Sequence, residues 1–266
     1  MTSIDSDLTG HVAIVSGREP ERVGRIADQL RQRGATVEVV AAATRAEAEA
    51  AVSRCVAQHS RLDIVVNAGW PRPGPGLLAT TDDELLAAWR DVVATAFHLA
   101  QAAIPQMVSR GYGRIVEIAD AAGLLYAHDG ELAAHDMTMG ALTAMMRTIA
   151  AEAKADGVAT NAVLAVPVDG AAVAPVEDST VVAAATWLAG PRCDVSGRFF
   201  AAGGARLAEV FTWAGHGYQS PDPSTLSIEE VRDNWAAALS PADGIAPVDQ
   251  VEYNGFRTSV YRATVT

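Results

Sequence analysis

The stretch "HVAIVSGREPERVGRIADQLRQRGATVEVVAA", residues 11–42, decides the fold. It opens with a short apolar run, 11–17, that ends in Gly17. Over 22–34 the apolar residues Val23, Ile26, Ala27 and Leu30 recur at helical spacing, and Gly34 supplies the stop. A second apolar run, 35–42, follows at once. Strand, helix and strand in that order form a β-α-β unit, whose two strands lie parallel because a helix carries the chain back. The pattern then repeats outward. Strands are expected over 62–69, 113–119, 158–166 and 197–204, and helices over 45–60, 81–109, 136–156 and 179–190. The strand "LDIVVNAG" (62–69) is almost wholly apolar. A strand of that kind is buried on both faces, which calls for helices on each side of a parallel sheet. The fold class is therefore α/β, a doubly wound parallel sheet. From Ala205 onward Pro221, Pro223, Pro241 and Pro247 interrupt the pattern, and one short helix is expected over 227–239, with Ser227 as N-cap and Glu230 as its capping-box partner. Residues 1–204 read as one domain and 205–266 as an extension packed on it or on a neighbouring subunit.

Composition narrows the function classes. The 266 residues suit one large α/β domain. A net charge of −12 argues against nucleic-acid binding, which needs a basic footprint. No 18-residue apolar run is present, and "MTSIDSDLTG" lacks the basic region and apolar core of a signal peptide, so a cytoplasmic protein without membrane contact is expected. Cys55 and Cys193 stand far apart with no metal-ligand spacing, which assigns them to packing in a reducing compartment and leaves no metal site. Lys154 is the only lysine, so any mechanism that needs one must use it.

Ligands of such folds lie beyond the carboxyl ends of the strands, where the first turn holds phosphate on glycine backbone and a helix N-terminus. Here that turn reads "SGREPERVG" (16–24). Only Gly17 and Gly24 remain, Glu19 and Glu21 bring negative charge, and Arg18 and Arg22 offset part of it. Ala41 and Ala42 stand where a ribose contact would come. Further on, "AAHDMTMGAL" (133–142) places His135 and Met139 four apart, on one helix face. His128, Asp129 and Asp136 add polar groups at no metal spacing.

Taken together, "SG" with "VGRIADQLRQRGATV", then "RLDIVVNAG", "AAIPQM", "GRIVEIADAAG", "MGALTAMMRTIAAE", "NAVLAVPVDG" and "VSGRFFAAGG" resemble the short-chain dehydrogenase/reductase (SDR) family over residues 8–204. The tail "LSIEEVRDNWAAALSPADGIAP" (226–247) is similar to the end of the (3R)-hydroxyacyl-CoA dehydrogenase unit of multifunctional enzyme type 2. The resemblance implies a Rossmann-like fold that binds NAD(P) on the first half of the sheet, with Ser16, Gly17, Gly24, Asn67 and Gly69 at the nucleotide. It also implies hydride transfer by an Asn, a Ser and a Tyr-x-x-x-Lys pair, in which the Lys lowers the pKa of the Tyr. Carried over residue by residue, the Asn falls on Val92, the Ser on Asp120, the Tyr on His135 and the Lys on Met139. Neither Tyr112 nor Tyr126 has a Lys four residues on. A helix and a strand usual between the second and third strands are missing, which shortens the cofactor half. Ala165 and Val166 replace a Pro-Gly pair, and the lid shrinks to "VDGAAVAPVED" (168–178).

These departures set three expectations. The NAD(P) site is vestigial and no cofactor is bound. The chain is a catalytically degenerate SDR subunit that assembles with an active SDR dehydrogenase of hydroxyacyl-CoA type, or with copies of itself, through Ala94, Ala96, Ala102 and Ala103 on one long helix and Ala141, Ala144 and Met145 on the other. The alternative is a non-redox hydratase, lyase or cyclase with Asp120 and His135 as its acid/base pair, and the third reading is an ordinary NAD(P)-dependent oxidoreductase.

Overall fold

The computed structural model describes residues 8–69, 74–125, 127, 132–166, 179–222, 224–247 and 250–265. The chain divides into two compact units, Met1–Glu209 and Val210–Thr266. In the first, β1 (Val12–Gly17), α1 (Pro20–Gln32), β2 (Thr36–Val40), α2 (Arg45–His59) and β3 (Ile64–Ala68) follow the expected alternation. Helix α3 (Asp82–Trp89) then runs through a π turn, Arg90–Ala94, into α4 (Thr95–Val108). Strand β4 (Gly113–Asp120), helix α5 (Ala133–Ala153), strand β5 (Val158–Ala165), helix α6 (Ser179–Leu188) and strand β6 (Phe199–Gly203) complete the expected set. Strand β7 (Arg206–Val210) was not expected from the sequence. It follows β6 across Gly204 and Ala205, both at positive φ, the conformation of a tight hairpin turn.

The seven strands form one sheet in the order β2-β1-β3-β4-β5-β6-β7. The pairings from β2 through β6 are parallel. One helix alone connects β2 to β3, and β2 is an edge strand, as the missing helix and strand require. Every residue of β3 and β4 is buried, because helices cover both faces. One apolar cluster lies beneath α1 and α6, where Val23, Ile26, Leu30, Val181 and Leu188 meet Val15 and Val116. The other lies beneath α2, α4 and α5, where Val52, Leu99, Met107 and Ile149 meet Ile14 and Ile115. Cys55 and Cys193 are free and buried, and burial pushes the Cys55 thiol up to about 11, which leaves it unreactive. Among the described residues no helix is long and apolar enough to cross a membrane.

The small residues expected at subunit contacts divide by helix face. Ala96 and Ala103 are buried in the chain's own core and cannot meet a neighbour; Ala94, Ala102, Ala141 and Met145 are half-buried and Ala144 is exposed. In the second unit α7 (Ile228–Asp233) and α8 (Trp235–Ala238) occupy the expected helix, and Ser227 and Glu230 form the expected capping box. Helix α9 (Gln250–Val265) was not foreseen.

At the amino ends of the strands a buried carboxylate ties two strands together. The Asp63 side chain accepts a hydrogen bond from the Val12 amide at 2.8 Å and two from the Arg61 guanidinium at 2.7 and 2.8 Å. Asp63→Ala leaves the Val12 N–H without an acceptor in the interior, so a loss of about 2–3 kcal/mol is expected. The urea midpoint should fall accordingly, with a smaller fall for Asp63→Asn.

Candidate functional site

The carboxyl ends of β1, β3 and β4 converge with the start of α5. Strand β4 ends on Asp120, which is fully buried, and the turn behind it folds back because the Ala122 amide donates to Asp120 Oδ1 at 2.9 Å. That turn then presses on α5. Gly123 has φ 76°, and a Cβ there would lie 2.3 Å from the Asp136 carbonyl oxygen and 2.6 Å from the Gly140 amide nitrogen. Only a residue without a side chain allows this approach.

The approach brings together the positions carried over from the family. His135 Nε2 lies 3.3 Å from Asp120 Oδ2, and the Asp120 amide donates to the Met139 sulfur at 3.2 Å. Asp120 and Met139 have no exposed surface and His135 has 1%. The helix spacing read from "HDMTM" is therefore correct, and both side chains point at the end of β4. Thr138 spends its hydroxyl on the His135 carbonyl at 2.8 Å. The carboxylate can hold an imidazolium and fix its orientation. The thioether carries neither proton nor charge, so it cannot depress the pKa of a neighbouring acid as a lysine would. Val92 is buried within the π turn beside Gly69, where a Cβ would come 3.7 Å from it. Tyr112 stands at the opposite end of the sheet against His11 and Arg114, and Lys154 lies exposed beyond the end of α5. Tyr126, His128, Asp129 and the shortened lid lie outside the described residues.

The β1–α1 turn differs from its reading as a poor phosphate site. Gly17 is required, since a Cβ would sit 2.6 Å from the Ala68 carbonyl oxygen. Ser16 is buried opposite Asn67 in the ladder. Gly24 faces open space, so no close approach demands a glycine there. The charge of Glu19 is engaged by Arg22 at 3.1 Å, and Arg18 pairs with Asp91 on the π turn. The side chain of Glu19, the N-cap, does not cap α1. A helix start without a side-chain cap, flanked by two guanidinium groups, suits an anion.

Two buried charged residues bear on this site: Arg22, which the sequence reading sets only against the glutamates of the turn, and Glu117, which it does not single out. Arg22 is 5% exposed; burial lowers its pKa, and the charges of Glu19 and Asp120 oppose that. It thus links the phosphate turn to the Asp120–His135 pair. Glu117, in the middle of β4, is enclosed in the sheet and accepts a hydrogen bond from Asn67 Nδ2 at 2.7 Å. Asn67 Oδ1 is buried with no partner among the described residues. Desolvation pushes Glu117 up to about 8, outweighing the Asn67 bond, so the carboxyl keeps its proton at neutral pH. A charged residue inside the otherwise apolar run "IVEIA" (115–119) was the available signal.

The raised value makes stability depend on pH. The retained proton stabilises the fold fully below the ordinary carboxyl value of 4.5, and that contribution is lost as pH rises through about 8. A shift of that size corresponds to roughly 5 kcal/mol. Thermal midpoints measured across this range should fall for the wild type and stay nearly flat for Glu117→Gln, which is neutral and keeps an oxygen that accepts from the Asn67 amide. Equal slopes would place Glu117 in its charged form throughout.

Comparison with known proteins follows from this geometry. Residues 7–180 match the sequence profile of the short chain dehydrogenase family. The chain is 33% identical over 158 residues to the (2S)-[(R)-hydroxy(phenyl)methyl]succinyl-CoA dehydrogenase subunit BbsC of Thauera aromatica, covering 58% of this chain and 61% of that one. It is 31% identical over 149 residues to the oxidoreductase UcpA of Escherichia coli, covering 53% and 54%. Among solved structures, the full-length peroxisomal multifunctional enzyme type 2 of Drosophila melanogaster matches 97% of this chain with a TM-score of 0.77 at 20% identity, and a short chain dehydrogenase of Mycobacterium avium matches 88% with 0.71, also at 20%. The chain spans about three fifths of the first relative and half of the multifunctional enzyme. The expectation of a vestigial NAD(P) site with no cofactor is overturned. The profile match runs through the whole turn region, members of that family bind NAD(P), and the paired Glu19 and uncapped α1 fit a phosphate.

Proposed function

The chain belongs to the short chain dehydrogenase family, and on that premise we propose that it is the non-catalytic subunit of an oxidoreductase assembly acting on a hydroxyacyl-CoA thioester. One observation carries the reading: the positions of the family's Tyr and Lys hold His135 and Met139, both buried and both turned to the end of β4, where Asp120 engages them. NAD(P) would be held at the β1–α1 turn by the Gly17 backbone and the α1 N-terminus, with Arg18 and Arg22 beside it, and would supply a hydride donor or acceptor. Among the described residues no tyrosine–lysine relay stands beside it.

The similarity to a protein described as a dehydrogenase subunit, and one for a succinyl-CoA derivative, supports both the thioester and the assembly. So does the C-terminal unit. Ile228, Val231, Trp235 and Leu239 recur at helical spacing and all stand exposed, Ile228 at 84%. Of that unit's described side chains only Ser220 and Val260 are buried. A unit with so little core needs a covering surface, and an active subunit of the same fold would provide it.

The competing assignment, acid/base work by Asp120 and His135, has their 3.3 Å contact in its favour. Their burial counts against it, since a general base must reach the substrate. Turnover of the purified assembly decides between them. His135→Ala should leave it within a few-fold, whereas a working base would cost about 10²–10⁴. In the same assay Ile228→Asp with Trp235→Asp should separate the subunits by light scattering and abolish turnover, while circular dichroism of this chain stays unchanged.

A further inference from the structure

We propose that the groove between α1 and α6 binds a nucleotide phosphate ester, at a place separate from the strand carboxyl ends and independent of the assembly reading. The two helices lie side by side over the sheet. Ser179, Thr180 and Ala183 keep the facing side of α6 small, and a cavity of about 890 Å³ opens between the helices. A space of that size accommodates a cofactor-sized molecule.

The charges around it run against the rest of the chain. In a protein of net charge −12, Arg25, Arg33 and Arg192 converge on one cavity. Arg25 and Arg33 are two turns apart on α1, about 12 Å along the helix, so they address a ligand at two points. Among the described residues of the lining the one carboxylate is Asp28, which accepts a hydrogen bond from Arg31 at 3.1 Å. Guanidinium groups recognise phosphate oxygens in pairs.

The rest of the lining suits a base. The Trp187 indole is 48% exposed, with the Arg192 guanidinium 5.6 Å from its ring centroid. An exposed indole beside a cation is a stacking platform for a planar heterocycle. Gln29 and Gln32 add amide donors and acceptors for a base edge. Phosphate and base together define a nucleotide, either free or as the adenosine portion of coenzyme A.

The test uses the full chain saturated with NAD⁺, so that the strand carboxyl ends are not available to the probe. ADP and coenzyme A are titrated by calorimetry into the wild type, Arg33→Glu with Arg192→Glu, and Trp187→Leu. Both probes should bind the wild type, the arginine variant should lose at least about tenfold in affinity, and Trp187→Leu several-fold, with melting temperatures unchanged. Coenzyme A bound more tightly than ADP assigns the groove to the thioester carrier, and equal affinity assigns it to a free nucleotide; both outcomes support the site. Absence of binding by either probe at millimolar concentration, or wild-type affinity in the arginine variant, overturns it.

Discussion

The close approach of the turn after β4 to the first turns of α5 governs the pocket end of this protein. It exists because Gly123 has no side chain to keep the two segments apart. In other members of the family the resemblance places a serine, a tyrosine and a lysine across this junction. Here Asp120, His135 and Met139 occupy it and satisfy one another. A buried carboxylate is tolerable only with partners, and Asp120 has the His135 ring, the Ala122 amide and the field of Arg22. The junction has kept its geometry while its side chains have become interior ones.

That exchange explains why the nucleotide turn and the catalytic positions have to be judged separately. The sequence sets Arg18 and Arg22 against Glu19 and Glu21 without saying which charges meet. In the folded chain Arg22 engages Glu19, and the α1 N-terminus has no side-chain cap. The substitutions at 135 and 139 admit no comparable compensation, because no lysine or tyrosine among the described residues approaches them. On the proposed reading, loss of proton transfer would therefore not entail loss of nucleotide binding.

Much of the fold was legible in the sequence. Continuous apolar strands, Gly34 and the Ser227–Glu230 capping box each encode local structure through local physics, and each element formed where it was expected. The face shared by His135 and Met139 followed from helix spacing alone. What escaped depended on tertiary context. Strand β7 is mostly exposed and joins the sheet at its edge, so it has no apolar signature. Helix α9 carries mixed polar residues and Gly255, which weaken the helical pattern. The π turn at Arg90–Ala94 leaves no mark in composition, although such turns gather at functional positions and this one holds Val92. Ala96 and Ala103 were read as surface because small residues suit both close helix contacts within a subunit and contacts between subunits.

The central claim, that proton transfer belongs to another chain, is tested most directly by the composition of the native complex. Intact mass spectrometry of the protein purified from its source, under conditions that preserve assemblies, reads the chains present and their ratio. The expected result is a hetero-oligomer of this chain with a second short chain dehydrogenase that contains Tyr-x-x-x-Lys. A homo-oligomer that oxidises a hydroxyacyl-CoA with NAD(P) unaided would contradict it.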